Sequence, residues 1–399
     1  MAYTFPESKT ALRSRMSVTT PLSPLYHPAV HLRTLHIMIG SLLLGNLPVS
    51  VPAQQETMPK TSPSIEPVPQ QHRDSVVHAL QQAGKNRDEL LTVFARLPEE
   101  QRTGAAFLIA NMPDRDLTAL SADFLVENIQ EAYRAWKDAP WGKDIPEQIF
   151  LSYILPYANF NERRDNWRAD FHKRFHESAW KFKTATEAVT WFMTHLNDDL
   201  NCHYHATKRP KPDQSPSESI EAHYASCTGL SILFADACRS VGIPARIVGL
   251  PTWKDKSGNH NWVEVWDGNW QNVGDTSGDP RGPYWVNDRC PKQCDPDNWQ
   301  HSIFAACWRK TPLHFPLVWN DRITYIPALN ITRFYTQPQK VEILIPGGGE
   351  GTVEVHWGGE LIARKTGKEK VTLPLAGGCS YEVIIQTTDG KTHHQTLQR

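Results

Sequence analysis

Hydrophobic residues recur every three or four positions through the first half of the chain. Leu125, Ile129 and Trp136 follow this spacing, which places them on one face of an α-helix. Prolines such as Pro140 interrupt the pattern, because proline cannot continue a helix interior. The spacing therefore predicts a set of short helices over residues 74–183, joined by turns.

Two further helices carry start and stop signals. Thr184 and Glu187 form a capping-box pattern, in which two side chains satisfy backbone N–H groups at a helix start. Ser226-Cys227 opens a second apolar stripe, and Gly242 ends it, since glycine tolerates a left-handed helix cap. This stripe predicts a buried helix with Cys227 at its amino end.

After about residue 240 the apolar and polar residues alternate, and this period of two indicates β-strands. The predicted strands are 245–250, 260–266 and 270–273. Asp267-Gly268 supplies the tight turn of a hairpin between the last two strands.

The end of the chain contains five short alternating segments separated by glycine-rich turns. These segments are 341–345, 352–357, 361–363, 371–375 and 381–386. They predict a small antiparallel β-sandwich. Gly347–Gly351 is expected to be a flexible hairpin, because no Lys-Ser/Thr follows it as a phosphate-binding loop requires.

Together the patterns predict an α+β protein in several parts. Residues 74–183 form a helical region, residues 184–335 an α+β core, and residues 338–399 the β-sandwich. Residues 54–73 are rich in proline and polar residues and are expected to be an extended linker. Residues 1–53 resemble a secretory signal, because their apolar run is too short to span a bilayer.

The signal prediction implies a secreted or periplasmic protein. Small residues end the apolar region, and cleavage is expected after Ala53. The basic residues lie deep for a signal, so we expect translation to start at Met16. The first cysteine is Cys202, far beyond the apolar run, which excludes a lipoprotein anchor there.

The overall charge excludes some classes of function. Lys and Arg number 42 and Asp and Glu number 43, which gives a net charge of −1. Such a chain has no global field that attracts polyanions, so we expect no nucleic-acid partner and no polybasic membrane binding. A hydrophobic share of 40% is that of a folded protein and excludes a disordered one.

Seven cysteines leave the redox chemistry of an exported chain open. They could form up to three disulfides, with one thiol left over. Cys290, Cys294, Cys307 and His301 could be drawn as a zinc site, but the C-x3-C spacing is atypical and favours a disulfide or thiols. We predict no metal and no cofactor.

Cys227 has the sequence context of a nucleophile. The amino end of a helix favours an anion, which lowers the pKa of a thiol and creates a reactive thiolate. A base must take the thiol proton, and a carboxylate must orient that base. His260 opens one predicted strand and Asp275 closes the next, so an antiparallel hairpin would make them neighbours.

At these residues the chain resembles the transglutaminase-like superfamily. The resemblance rests on Ser226-Cys227, on the segment Arg239–Arg246, on His260-x-Trp-Val-Glu-Val-Trp266 and on Asp275, and it covers residues 184–280, about a quarter of the chain. It implies a core similar to papain-like cysteine proteases, with the cysteine on a helix and the histidine and aspartate on adjoining strands. It further implies Cys227 as the nucleophile, His260 as general base and then acid, and Asp275 as the residue that orients His260.

Two positions depart from the family pattern. Asn261 stands where a small residue is usual, and Thr276 stands where proline is common after the aspartate. Asp279 is therefore a reserve candidate for the third catalytic position. Tyr224 and Trp262 either shape the acyl-binding site or simply pack, and the sequence leaves these two roles open.

The expected reaction is thiol-dependent acyl transfer at a peptide or amide bond. Hydrolysis is favoured, because bacterial members of the superfamily are more often hydrolytic and an exported chain meets water readily. Cross-linking of protein glutamine to lysine is the alternative, although no D-x-D-x-D-G calcium loop is present. A non-catalytic peptide- or glycan-binding protein is a second alternative.

The partner expected from this interpretation is a peptide or protein substrate. After signal cleavage the chain is not expected to be an integral membrane protein, since its one long apolar run lies within residues 1–53. The oligomeric state and the substrate are not specified by the sequence.

Overall fold

The computed structural model describes residues 64–274 and 284–399. The predicted signal, the first part of the predicted linker, Asp275 and the reserve candidate Asp279 lie outside the described residues. Within the described part, no helix is long and apolar enough to cross a membrane.

Helices dominate the first half of the described chain, as the sequence predicts. Their bounds are α1 Arg73–Gln82, α2 Arg87–Arg96, α3 Arg102–Asn111, α4 Asp114–Leu117, α5 Ala122–Asp138, α6 Glu147–Tyr153, α7 Arg168–Ala179, α8 Ala185–Asp199, α9 Pro216–Ala222, α10 Cys227–Ser240, α11 Trp285–Gln293 and α12 Thr332–Thr336. The predicted amphipathic helix is α5, which buries Leu125 and Ile129. The capping box of Thr184 and Glu187 begins α8.

Strands follow in the second half. Their bounds are β1 His203–Tyr204, β2 Tyr224–Ala225, β3 Ala245–Leu250, β4 His260–Trp266, β5 Trp270–Asn272, β6 Phe304–Ala306, β7 Leu313–His314, β8 Pro327–Asn330, β9 Pro338–Leu344, β10 Glu350–Trp357, β11 Glu360–Lys368, β12 Lys370–Ala376, β13 Ser380–Thr387 and β14 Thr392–Gln398. The mixed helix and strand content agrees with the predicted α+β class.

The central sheet has six strands in the order β5-β4-β3-β6-β8-β7. Each neighbouring pair in it is antiparallel. Every residue of β3 and β4 is buried, so both faces of these strands are covered. The alternation read from the sequence therefore located the strands correctly, but neither strand presents a polar face to solvent.

Helix α10 lies in the interior and packs against β3 and β4 on one side and α5 and α7 on the other. Each residue from Thr228 to Ser240 is buried. The helix ends before Gly242, whose φ of +79° is the left-handed conformation that glycine permits. A Cβ at Gly242 would lie 2.3 Å from the carbonyl oxygen of Ala135, so α5 and the end of α10 meet there at backbone distance.

Buried charges join α10 to the helical region. Nε and Nη2 of Arg239 donate to the carbonyl of Ala245, and its Nη1 donates to that of Ala158. Arg168 donates to the carbonyls of Ile154 and Pro156. Burial, together with the charge of Arg239, lowers the pKa of Arg168 to about 9. These guanidinium groups thus satisfy carbonyls at the start of β3 and in the segment that follows α6.

The last six strands form two antiparallel sheets, in agreement with the predicted β-sandwich. One sheet has the order β11-β10-β13-β14, and β12 pairs with β9 in the other. Their apolar side chains make a second hydrophobic cluster. The hydroxyl of Tyr381, at the centre of this cluster, accepts from the N–H of Ala376 and donates to its carbonyl.

Two details of this region differ from the sequence prediction. The glycine-rich segment 347–351 is not a hairpin turn between paired strands, because β9 and β10 belong to different sheets and this segment connects them. Strand β14 was not predicted. Most of its residues are exposed and polar, so the strand lacks the apolar alternation by which sequence patterns reveal strands.

The buried arginine of α10 gives a stability prediction. Arg239→Met leaves the carbonyls of Ala245 and Ala158 without the guanidinium donor and removes the cation that lies 4.0 Å from Asp236. We expect a loss of about 3–5 kcal/mol in the free energy of unfolding, measured by urea denaturation. Arg174→Met is the control, because Arg174 forms an exposed pair with Asp170 and should lose less than about 1 kcal/mol. Equal losses in the two variants would contradict this account of Arg239.

Candidate active site

Cys227 is the first residue of α10, as the sequence predicts, and it is partly exposed. Ser226 precedes it as the helix cap: its hydroxyl accepts from the N–H of Gly229 at 3.2 Å and donates to the carbonyl of Pro212 at 2.8 Å. These two bonds fix the start of the helix and hold the loop before it. The thiol therefore lies where the helix dipole favours a negative charge.

The other six cysteines are buried thiols: Cys202, Cys238, Cys290, Cys294, Cys307 and Cys379. Burial raises the pKa of Cys202 to about 12, and burial with the charge of Glu360 does the same for Cys307. Cys202 and Cys307 therefore stay protonated near neutral pH, and the burial of all six limits access to them. Reactivity toward a water-soluble reagent should therefore concentrate at Cys227.

A cleft of about 270 Å³ opens at Cys227. Its walls come from four parts of the chain, and three of them are the start of α10, the segment from Tyr204 of β1 to Pro212, and the segment that contains Asn259. Trp319 and Val318 complete the wall from a distant loop. Wall residues such as Arg209, Asn259 and Trp319 lie in loops without a periodic pattern, so no local pattern in the sequence reveals them.

His260 is the first residue of β4 and pairs with Leu250 of β3. It is 8% exposed. Its ring lies 4.9 Å from the ring of Trp285 and 5.9 Å from that of Trp262, measured between ring centroids. Aromatic rings thus restrict the orientation of the imidazole.

A hydrogen bond joins the start of α10 to the start of β4. Nδ2 of Asn261 donates to Oγ1 of Thr228 at 2.7 Å, and both residues are buried. Thr228 follows Cys227 and Asn261 follows His260, so this bond fixes the backbones that carry the two proposed catalytic residues. Asn261, which departs from the family pattern, therefore has a structural role: it holds the start of β4 against the start of α10.

Room for the Asn261 amide comes from the neighbouring strand. Gly249 pairs with Asn261, and a Cβ at Gly249 would lie 1.9 Å from the Asn261 Oδ1. A larger residue at either position would compete for the same space. The sequence carried this signal as a glycine inside a strand, which often marks a close approach.

The remaining predicted site residues are placed as follows. Trp262 is 1% exposed, and its Nε1 donates to the hydroxyl of Tyr335 at 2.9 Å. Tyr224 lies in β2 with the ammonium of Lys208 4.8 Å from its ring centroid. The proposed roles of both in substrate binding stay predictions, as does the role of Asp275.

The described residues include no group of three or more His, Cys, Asp or Glu side chains that could hold a metal ion. The candidate zinc residues lie on α11 and on the segments around β6, and Cys290 contacts Cys294. That contact, together with burial, raises the pKa of Cys290.

Thr228→Val tests the bond that joins α10 to β4. The variant keeps the side-chain shape but leaves the buried Asn261 amide without its acceptor, so we expect a loss of about 1–3 kcal/mol in unfolding free energy. Thr190→Val is the matched control on α8, because Thr190 is exposed and its hydroxyl bonds only its own helix. Urea denaturation measures both variants.

A double variant sharpens this test. Asn261→Leu combined with Thr228→Val removes both polar partners, so the combined loss should be smaller than the sum of the single losses. Strict additivity would show that the two side chains do not interact in solution.

Residues 176–275 match the family model of the transglutaminase-like superfamily. The resemblance drawn from the sequence is thereby confirmed for this part of the chain. Members of this superfamily are generally enzymes, and thiol-dependent catalysis fits it. No curated protein matches the chain.

The solved structures that are similar to this chain include a cysteine protease and a transglutaminase. A "putative cysteine protease" from Cytophaga hutchinsonii is 19% identical with a TM-score of 0.24, over 28% of this chain and 38% of that one. The transglutaminase of red sea bream is 11% identical with a TM-score of 0.31, over 65% of each chain. This chain thus spans less than two thirds of either structure. Both scores are too low for the likenesses to support an argument about function.

Proposed function

Because residues 176–275 match the transglutaminase-like superfamily, we propose that the chain catalyses acyl transfer at a peptide or amide bond with Cys227 as nucleophile. One observation carries the proposal: the partly exposed Cys227 thiol lies at the amino end of a buried helix and lines a cleft, whereas the other cysteines are buried. A packing role would not require a thiol at the surface of a cleft.

In the proposed reaction, the thiol proton of Cys227 passes to His260, and the thiolate attacks the carbonyl carbon of the substrate. His260 then gives the proton to the leaving amine as the C–N bond breaks, which leaves a thioester on Cys227. Water attacks the thioester, and His260 takes a proton from that water. The acid leaves, and the thiolate is regenerated.

The start of α10 supplies the electrostatic part of this proposal. Backbone N–H groups in the first turn of a helix attract negative charge, both on the thiolate and on the oxyanion that forms during attack. The Ser226 cap and the bond from Asn261 to Thr228 hold this turn in place. We assign the orientation of His260 to Asp275, with Asp279 in reserve.

Hydrolysis is the form of the reaction that we propose, with cross-linking to an amine as the alternative. The thioester is common to both, and the acceptor decides between them. Water reaches a surface cleft at far higher concentration than any amine. A non-catalytic peptide- or glycan-binding role remains the alternative from another class.

Alkylation kinetics test whether Cys227 is an activated thiolate. Iodoacetamide should modify Cys227 faster than any other cysteine, with an apparent pKa below the ~8.5 of an ordinary thiol. The purified chain is labelled at a series of pH values from about 4 to 9, and peptide mapping then gives the extent of modification of each cysteine. His260→Ala should slow the modification near neutral pH, because the thiolate loses its charged partner.

His195→Ala is the control for this experiment, because His195 is exposed on α8, away from the cleft residues. It should leave the labelling curve unchanged. A Cys227 that is inert, or that reacts identically with and without His260, would rule out the proposed nucleophile and favour the binding-protein alternative.

A product analysis separates hydrolysis from cross-linking. The chain is incubated with a mixture of unfolded peptides in ¹⁸O-labelled water, with and without a biotinylated primary amine. Hydrolysis places ¹⁸O in new carboxyl groups, whereas cross-linking adds the amine. Cys227→Ala should lower either rate at least about a thousandfold, because the thioester cannot form.

Cys379→Ala is the matched control, since Cys379 is buried among the C-terminal strands. It should retain the activity. Amine incorporation without ¹⁸O uptake would contradict hydrolysis and establish the cross-linking alternative.

A further inference from the structure

A second cavity, of about 370 Å³, lies between the central sheet and the C-terminal strands. Residues of β3, β4 and β5 form one wall, and residues of α11, α12 and the C-terminal strands form the others. The cavity shares no lining residue with the Cys227 cleft. Its volume is within the range of small-molecule sites.

A buried ion pair lies in the polar wall. Nε and Nη2 of Arg246 lie 2.8 and 2.7 Å from Oε2 of Glu264, and the hydroxyl of Tyr335 donates to Oε1 at 2.6 Å. The guanidinium carbon of Arg246 lies 3.8 Å from the ring centroid of Trp270. Both carboxylate oxygens of Glu264 are therefore engaged, and the charge of Arg246 is balanced.

Two donors in the same wall have no acceptor. Nη1 of Arg246 and Nε1 of Trp270 are buried and have no hydrogen-bond partner among the described residues. Arg246 is 3% exposed, and both residues line the cavity. Buried donors without acceptors are rare, because each forfeits the bonds that it made to water. A bound oxygen atom would satisfy them.

Most of the other lining side chains are aliphatic or aromatic, beside the amides of Asn269, Asn272 and Asn287. The apolar ones include Leu329, Ile331, Phe334, Trp357, Ile362 and Leu375. Such a surface suits a hydrocarbon or aromatic body and offers no counter-charge. A ligand must therefore combine an apolar body with an acceptor at the Arg246 end.

From this arrangement we propose that the cavity is a binding site for an uncharged small molecule with an aromatic or branched apolar body and an amide or ester carbonyl. A carboxylate would add a buried charge, because Glu264 already neutralises Arg246, and such a charge costs more than a neutral acceptor. An ammonium group would likewise add an uncompensated buried charge, because the Arg246–Glu264 pair is already neutral. The site is independent of the proposed chemistry at Cys227.

Ligand-observed saturation-transfer NMR on the purified full chain tests the proposal. The probes are 3-phenylpropionamide, 3-phenylpropionate and 3-phenylpropylamine, which share one apolar body and differ in the polar group. The amide should bind with a Kd of about 1 mM or below, a realistic affinity for a fragment of this size. The carboxylate should bind more weakly, and the amine should not bind.

Variants locate the binding. Asn287 is an exposed residue of α11 that lines the cavity, so Asn287→Trp should block it and lower the affinity for the amide at least about tenfold. Asp288→Trp, one residue along, is the matched control and should bind as the wild type does. Trp270→Phe keeps the ring beneath Arg246 but removes one donor, so it should weaken the amide roughly two- to tenfold.

Three results would overturn the proposal. They are absence of binding by all three probes, equal binding of amide and amine, and equal affinity in Asn287→Trp and Asp288→Trp. Alkylation of Cys227 with iodoacetamide should leave amide binding unchanged. Loss of binding on alkylation would place the probe in the Cys227 cleft and refute the second site, whatever the activity of Cys227.

Discussion

The complete burial of α10 is the constraint on which the rest of the structure depends. Polar groups on a helix enclosed on nearly all sides need partners within the protein, and only Oδ2 of Asp236 and the hydroxyl of Ser231 among the side-chain atoms of α10 are left without one among the described residues. Arg239 meets this requirement by donating to carbonyls on both sides of the helix, at Ala245 in β3 and at Ala158 beyond α6. The same bonds therefore attach the helical region and the central sheet to one helix.

This burial also determines where chemistry can occur. The residues of α10 after Cys227 are buried, and Cys227 at its amino end lines a cleft. The side chains of Ser226, Thr228 and Asn261 fix that end against both the preceding loop and the sheet. The Cys227 thiol is thus exposed at the end of a buried helix whose first turn is fixed by hydrogen bonds. A preorganised nucleophile requires this arrangement.

Local patterns in the sequence predicted α10, the Thr184 capping box and the strands β3 to β5, because each has its signal within a few neighbouring residues. Strands β6, β7 and β8 have two to four residues and pair with distant partners, so no local period reveals them. The cleft walls at Arg209 and Trp319 are likewise formed by loops that only the tertiary fold brings together. Cys227 and His260 could be proposed from motifs, whereas their surroundings could not.

Successive side chains of a strand point to opposite faces of its sheet, so the motif His260–Trp266 in β4 contributes to both faces. Asn261 bonds Thr228 and so faces α10, and Glu264, of opposite parity, lines the second cavity. Trp262 shares the parity of Glu264 and bonds Tyr335, which also lines that cavity. The tryptophan and glutamate of the motif therefore pack on the side of β4 toward the second cavity. His260, which shares their parity, lies at the end of the strand nearest the start of α10, with its ring 5.9 Å from that of Trp262. A tryptophan and a glutamate at these positions of the motif therefore reflect the packing of the sheet as much as catalysis at Cys227.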